Sequence, residues 1–410
     1  MSGIVVTGQQ IGLLGSPLYT TYKVLGALHR AREIGGQAVF WLETHDADFN
    51  EINHIDFLDA ADRLQTLTWS KDSGGYSCGL VEVDENLVAV LETFFTQLRQ
   101  TEFTPALREM ALDCYRPGLS LGAAAARLAF HFFSHLGVEI FDPMNRAFLD
   151  FSRSILLKEA ERTSDGEQCN LFCLVGKKRE ALFKKHGRYV LRDGREVNLA
   201  NHDLLPNVKT RSMCQDAYFK THTYVAGPAE IAYLAEQDDM YRYHGVARPN
   251  ILPRLSLTLL EPRAVRQLKK TGLSVADVLD LDRAGLVKKV IKEQTGLDLR
   301  ETEAKAEAAA REFIQALDGL GLQVADLGKR LSIEVKAMCG RKRASEKEKH
   351  EGLIKAAQFL SDNIKPLGKK QERVFNLFYY MNLYGGPDFI DWLGRRYDRG
   401  LDVLEIEHGK

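Results

Sequence analysis

In WLETHDADFNEINH (41–54), the ionisable residues His45, Asp46, Asp48, Glu51 and His54 crowd a loop. The loop directly follows an unbroken apolar run, Ala38-Val39-Phe40-Trp41-Leu42. Two histidines and three carboxylates can bind a divalent metal or move protons between reacting groups. No ligand spacing here is diagnostic of a metal, so both chemistries stay open, beside a structural reading as a polar loop with an aspartate cap. A pure scaffold has no need of five ionisable groups at one strand end, which favours contact with a ligand.

Two further segments carry candidate residues. In VTGQQIGLLGSPLYTTYK (6–23), Gly8, Gly12 and Gly15 precede Ser16-Pro17. Ser16 is a good N-cap and Pro17 suits the first helical position, so a helix is expected from there through Lys23 toward Ala31. A strand, a glycine loop and a helix N-terminus make an anion or nucleotide cradle; the plainer reading is a tight connection. In LLPNVKTRSMCQDAYFKTHTYVAGPAEIAYLAE (204–236), Asn207, Arg211, Gln215 and Asp216 precede a strand, and Glu230 and Tyr233 follow its Gly227-Pro228 turn. Arg211, and Arg254 in PRLS, can hold a carboxylate bidentately or salt-bridge a neighbouring acid. His131 and His135 sit among phenylalanines and read as core. No histidine is fixed by spacing near Cys214, so it is not read as a nucleophile.

The elements that must position these groups alternate. Ile4–Val6 reads as a strand, Pro17–Ile34 as a helix, and 38–42 as a strand buried on both faces of a parallel sheet. Helices follow at Asn86–Leu98, Pro105–Tyr115 and Ala123–Leu136, then a strand at Val138–Phe141 and a helix at Arg146–Arg162. Residues 168–200 read as a small β-rich insertion with Asp193-Gly194 at a hairpin turn. The alternation resumes with Tyr224–Ala226, a helix over Ala229–Glu236 and a last strand in Asn250–Leu260. Ligands in such sheets bind outside the carboxyl ends of the strands, where the first glycine loop and the acidic loop meet.

Beyond residue 262 the chain turns helical and charged. Phe313, Leu317, Leu320, Val324, Leu327, Leu331 and Met338 keep a four–three spacing, and Leu353, Ala357, Leu360, Ile364 and Leu367 repeat it. Joined by the polar stretch 340–352, the two rows predict an antiparallel coiled-coil hairpin with one flank open for self-association. Pro366 should end the second helix. The tail VFNLFYYMNLYGGPDFIDWL (374–393) is too apolar to be free and should fold back onto the core.

Composition narrows the function classes. The 410 residues carry a net charge of −1, which argues against a constitutive nucleic-acid or membrane partner. No stretch approaches the roughly 18–20 apolar residues of a membrane span, and the start lacks the features of a signal peptide. Six scattered cysteines form no disulfide framework and no zinc-ligand array. A soluble cytoplasmic protein is expected. The P-loop, G-x-G-x-x-G and G-x-S-x-G signatures are absent.

The string VVTGQQIGLLGSPLYTTYK resembles the N-terminal motif of the bacillithiol biosynthesis cysteine-adding enzymes, the BshC family. The resemblance continues, in consistent order, through NEINH, LLPNVKTRSMCQD, YVAGPAEIAYLAE, PRLS and QERVFN. It implies a Rossmann-like core, a coiled-coil arm used for dimerisation, and an enzyme joining L-cysteine to glucosaminyl-malate in the last step of bacillithiol synthesis. It points to Thr7, Gly8, Gln9, Gln10, Gly12, Pro17 and Lys23 in the first motif, and to His45, Asp46, Glu51, Asn53 and His54 in the second. Asn207, Arg211, Gln215, Asp216, Gly227, Pro228, Glu230, Tyr233 and Arg254 follow from the remainder.

The combined expectation is an α/β protein. A Rossmann-like parallel-sheet core spans 1–265, with a helical insertion near 60–136 and a small β-rich one near 168–200. An antiparallel α-helical coiled-coil arm spans 266–370, and 371–410 packs back on the core. The function expected is a ligase forming an amide between cysteine and the glucosaminyl amine. Making an amide from a free carboxylate needs activation, and a nucleotide cradle suggests ATP (or ADP) with Mg²⁺. In that scheme His45, Asp46, Glu51 and His54 supply the base or a metal ligand, and Arg211 or Arg254 clamps the malate carboxylates. A homodimer through the coiled coil is expected. The rivals are a nucleotidyltransferase-like enzyme with another acceptor and a nucleotide-sensing coiled-coil scaffold.

Overall fold

The computed structural model describes residues 3–407 apart from Ser16, 297–298, 321–324 and Arg399. The expected Ser16 cap and the heptad position Val324 lie outside the described residues. Residues Met1–Thr258 and Glu372–Leu404 form one compact unit, and Leu259–Gln371 a second.

Five strands make the sheet of the first unit, in the spatial order Asn250–Pro253, Thr221–Ala226, Ile4–Gln10, Gln37–Glu43, Val138–Phe141. Every neighbouring pair is parallel. Ala38 to Leu42 are all buried, which is why that strand is an uninterrupted apolar run rather than an alternating one. The chain builds outward from its first strand to Val138–Phe141, then returns to the first strand's other side at Thr221–Ala226. This reversal opens a crevice at the carboxyl ends of the two strands that flank it. Helix Tyr19–Glu33 packs on the sheet and buries ten of its fifteen residues.

The insertion after Gln37–Glu43 holds the helices Glu85–Gln97, Thr104–Cys114 and Leu121–Phe133. It opens with an antiparallel hairpin, His54–Leu58 with Leu64–Thr68, where a purely helical insertion was expected. The second strand of that hairpin is half-exposed, so its pattern shows no buried run. The second insertion is a four-stranded antiparallel sheet over Gln168–Pro206. Its main hairpin turns at His186-Gly187, both at positive φ (51° and 75°), and the Asp193-Gly194 turn closes only a bridge beyond it. His131 and His135 are exposed rather than core. The tail's Phe378 is buried against Phe95 and Phe132, at centroid distances of 5.9 and 5.4 Å.

The second unit is helical, and its hairpin differs from the expected one. Helices Leu299–Asp318 and Ala325–Lys349 are the antiparallel pair. Lys336 meets Glu307 at 3.4 Å, and Arg343 pairs with Glu303, so numbering rises on one helix as it falls on the other. The polar stretch 340–352 is helix through Lys349 rather than a loop. Its Lys, Arg, Glu and Ala residues are strong helix formers, and Lys342–Glu346 adds an i,i+4 pair at 2.7 Å. Gly340, the glycine of that stretch within the helix, costs only about 1 kcal/mol. Helix Glu351–Ile364 packs instead on Pro262–Thr271 and Arg283–Thr295. Among the described residues, no helix is long and apolar enough to cross a membrane.

Candidate active site

A cleft of about 550 Å³ opens at the carboxyl ends of the parallel strands, where the strand order reverses. Gly8, Gln9 and Gln10 end the first strand there, and Glu43 ends the second. Gly227, Pro228, Glu230 and Tyr233 come from the turn and helix after Thr221–Ala226, and Arg254 follows the edge strand. Helix Val208–Phe219 contributes Arg211 from its first turn, with Asn207 as its N-cap.

Lys23 lies on the cleft wall and is 1% exposed. Its ammonium donates to the Gly8 carbonyl, to Gln9 Oε1 at 3.3 Å and to Glu230 Oε2 at 2.6 Å. Burial lowers its pKa, and the Glu230 carboxylate works against that shift. Burial alone would raise Glu230, but Lys23 and the Gly227 N–H hold its carboxyl below the ordinary range. The Gly227 N–H donates to Glu230 Oε2 at 2.7 Å, so a side-chain carboxylate already occupies this helix N-terminus.

Arg211 is buried, with partners at four of its five N–H donors. It donates to Gln215 Oε1 at 3.0 Å and to the hydroxyls of Tyr224 and Tyr233, each at 3.3 Å. Its Nε stands 3.3 Å from Glu43 Oε2. Arg254 pairs with Glu372 at 2.7 Å. On the acidic side, the Gln10 amide donates to Asp46 and, at 2.9 Å, to Glu51. Arg179 from the inserted sheet meets Asp46 at 3.0 Å and lies over the Phe172 ring.

The expected residues divide. Gly8, Gln9, Gln10, Lys23, Asp46, Glu51, Asn207, Arg211, Gly227, Pro228, Glu230, Tyr233 and Arg254 line the cleft. His45 faces inward, 1% exposed between the Trp41 and Phe148 rings, and burial pushes its pKa down to about 3. Its Nε2 sits 3.2 Å from the Pro143 carbonyl. Thr7 is buried, donating to the Val225 carbonyl. Gln215 and Asp216 are buried, and Asp216 accepts from Tyr241 at 2.6 Å. Asn53 is buried too, its amide donating to the Trp69 carbonyl at 3.2 Å. Gly12, Pro17 and His54 line a separate cavity of about 40 Å³. Helix Tyr19–Glu33 begins two residues beyond Pro17, and the Leu18 N–H before it donates to the Phe375 carbonyl at 2.7 Å. The glycine segment and that helix end therefore do not form the expected open cradle on the cleft.

Tyr19, Glu43, Phe172, Arg179 and Arg373 also line the cleft and were not singled out from sequence. Glu43 carried a signal, as the first ionisable residue after the apolar run. Tyr19 and Arg373 lie inside the quoted strings GSPLYTTYK and QERVFN without being singled out there, and Phe172 and Arg179 come from an insertion where no local pattern marks them.

N–H donors of Gln10 and Arg179 point at Asp46, and the Gln10 amide also at Glu51 Oε2. Among the described residues no group of three or more His, Cys, Asp or Glu is arranged around a metal position. The cationic side chains Lys23, Arg179, Arg211, Arg254 and Arg373 give the cleft the chemistry for anionic ligands, phosphate or carboxylate.

Comparison with known proteins gives one consistent result. The model of the bacillithiol biosynthesis BshC N-terminal Rossmann-like domain matches residues 1–169 and 159–255, and that of the BshC C-terminal coiled-coil domain matches 257–398. A protein named "Putative cysteine ligase BshC" from Carboxydothermus hydrogenoformans is 28% identical over 451 residues, covering 98% of this chain and 84% of the relative. Proteins of the same name from Chlorobaculum tepidum and Heliobacterium modesticaldum are 27% and 29% identical, over 95% and 93% of this chain and 80% and 79% of the relatives.

Proposed function

Because this chain belongs to the bacillithiol biosynthesis BshC family, we propose that it is a ligase joining the carboxyl of L-cysteine to the amine of glucosaminyl-malate. The observation that carries the reading is the cleft at the strand-order reversal, where arginines from separate elements meet Glu43, Asp46 and Glu51. The malate moiety offers two carboxylates, which guanidinium groups bind bidentately. Cysteine carboxylate needs activation before an amine can displace an oxygen from it. ATP enters as a substrate that supplies a phosphoryl or adenylyl group, with Mg²⁺ arriving on its phosphates rather than on a site built by this chain. Arg179 and Arg373 are the residues offered to those phosphates.

The six cysteines are all unpaired, which suits a reducing cytoplasm. The arm helices expose Phe313, Leu327 and Met338, and we read the face that carries Leu327 and Met338 as the homodimer contact. The decisive test mixes purified protein with glucosaminyl-malate, cysteine and ATP, another nucleotide, or none. A product whose mass is the sum of both substrates less one water supports the ligase. No such product under any condition overturns it.

A further inference from the structure

Glu43 stands at the end of the second parallel strand with its two carboxyl oxygens in different surroundings. Oε2 accepts from Trp41 Nε1 at 3.1 Å and faces Arg211 Nε at 3.3 Å. Oε1 faces His45 Nδ1 at 3.7 Å. The Pro143 carbonyl can only accept, so His45 carries its proton on Nε2 and presents a lone pair at Nδ1. That Nδ1 is buried and has no hydrogen-bond partner. A carboxylate oxygen and a nitrogen lone pair repel at this separation, and a proton on the oxygen lets the gap close by under an ångström into a hydrogen bond. The Glu43 side chain remains 18% exposed, open to the cleft.

We propose that Glu43 is the proton acceptor of this cleft, and that His45 is the positioning residue that receives the acid form of its carboxyl. The proposal rests on the amide-forming reading above. The glucosaminyl amine attacks the activated cysteine carbon, held as an acyl phosphate or acyl adenylate. The C–N bond forms, and the carbon–oxygen bond to the leaving group breaks with its electron pair on oxygen. The proton shed by nitrogen passes to Glu43 Oε1, where His45 Nδ1 accepts a hydrogen bond from it.

The charged and titratable groups facing Glu43 come from four elements. They are Arg211 on its helix, Arg179 on the inserted sheet, Asp46 and His45 on the loop, and Tyr233 on the helix after Thr221–Ala226. Burial pushes the Glu43 pKa up; Arg211 opposes this and Asp46 adds to it. The net upward shift suits a carboxylate that must take a proton near neutral pH.

The test has two readouts. In the ligation assay, Glu43→Gln is expected to lower single-turnover product formation by about 10²–10⁴-fold while calorimetric affinity for glucosaminyl-malate stays within a few-fold. Glu43→Asp should restore part of the rate. Full activity in a folded Glu43→Gln protein overturns the proposal. Independently of activity, ¹³C resonances of labelled glutamate carboxyls, assigned through Glu43→Gln, report the Glu43 titration. The midpoint is expected above the ordinary value of about 4.3, and lower in His45→Phe than in the parent. A Glu43 midpoint at or below the ordinary value overturns the acceptor role, and one unmoved by His45→Phe overturns the part given to His45. If the parent protein forms no product, the ligase reading fails while the titration still decides the Glu43–His45 pairing.

Discussion

Lys23 Nζ lies 2.6 Å from Glu230 Oε2, joining the first helix to the Gly227-Pro228 turn across 207 residues of sequence. Lys23 is 1% exposed and Glu230 20%, so neither can simply exchange its partner for water. Glu230→Ala leaves an ammonium stranded in the interior, and the expected loss is about 3–5 kcal/mol. The double variant Lys23→Met/Glu230→Leu should lose less than Glu230→Ala alone, since it removes the stranded charge. Urea unfolding of the three proteins (the parent and the two variants) measures this. A double variant less stable than Glu230→Ala would show that the stranded ammonium is not what destabilises the single variant.

What was legible from sequence follows from how locally each signal is written. Strand 38–42 declared itself by an apolar run that only two-sided burial explains, and helix Arg146–Arg162 by its periodicity. Asp46, Glu51, Arg211 and Glu230 were legible because they sit beside the ends of such elements. His45 looked equivalent to Asp46 by position. Which of two adjacent side chains faces the cleft depends on the backbone's turn after the strand, and the sequence does not write that down. Arg179 reaches the cleft by tertiary folding alone, and Arg373, though inside the QERVFN string, carries no sign there that it faces the cleft. In the arm, charge density in 340–352 resembled a loop because polarity alone does not separate a solvated helix from a turn.

Asp216 gives a pH-dependent stability. Burial pushes its carboxyl up to about 6, against hydrogen bonds from Tyr241 and Gln215. An unfolded aspartate titrates near 3.9, so between about pH 4 and 6 the folded protein holds the extra proton. Asp216 therefore contributes stability that is fully present below about pH 4 and lost as pH rises through about 6, roughly 3 kcal/mol in all. The stability difference between the parent and Asp216→Asn should fall across that window and level off above pH 7. Denaturant midpoints at each pH report it, and a difference that stays constant from pH 4 to 7 would rule the shift out.

The arm makes a separate prediction. Leu327 is 42% exposed on helix Ala325–Lys349, on the face read as the dimer contact. Leu327→Glu would bury an unpaired charge in that contact, which is costly. Light scattering across a dilution series should show a dimer for the parent and a monomer for the variant, with unchanged helical circular dichroism. A parent already monomeric at micromolar concentration gives the arm some other use.

Two arginines flanking Tyr19 should behave differently when removed. Arg254 lies 5.1 Å from the Tyr19 ring centroid and Arg373 5.9 Å. Arg254 is committed to Glu372, which is nearly fully buried and also accepts from Ser256 Oγ at 3.1 Å and the Leu257 N–H at 2.9 Å. Arg254→Ala strands that carboxylate and should cost about 3–5 kcal/mol of stability before any effect on binding. Arg373 is exposed, and among the described residues no carboxylate pairs with it. Arg373→Ala should leave the thermal midpoint where it is. If Arg373 meets a substrate anion, the variant should raise KM for that substrate about 10–100-fold, the scale of one charge-assisted hydrogen bond. That penalty should shrink as salt is added, because an exposed charge is screened. Measuring KM for glucosaminyl-malate and for ATP separately tells which anion Arg373 holds. A KM unchanged for both would move the anion contact inward, to Arg211.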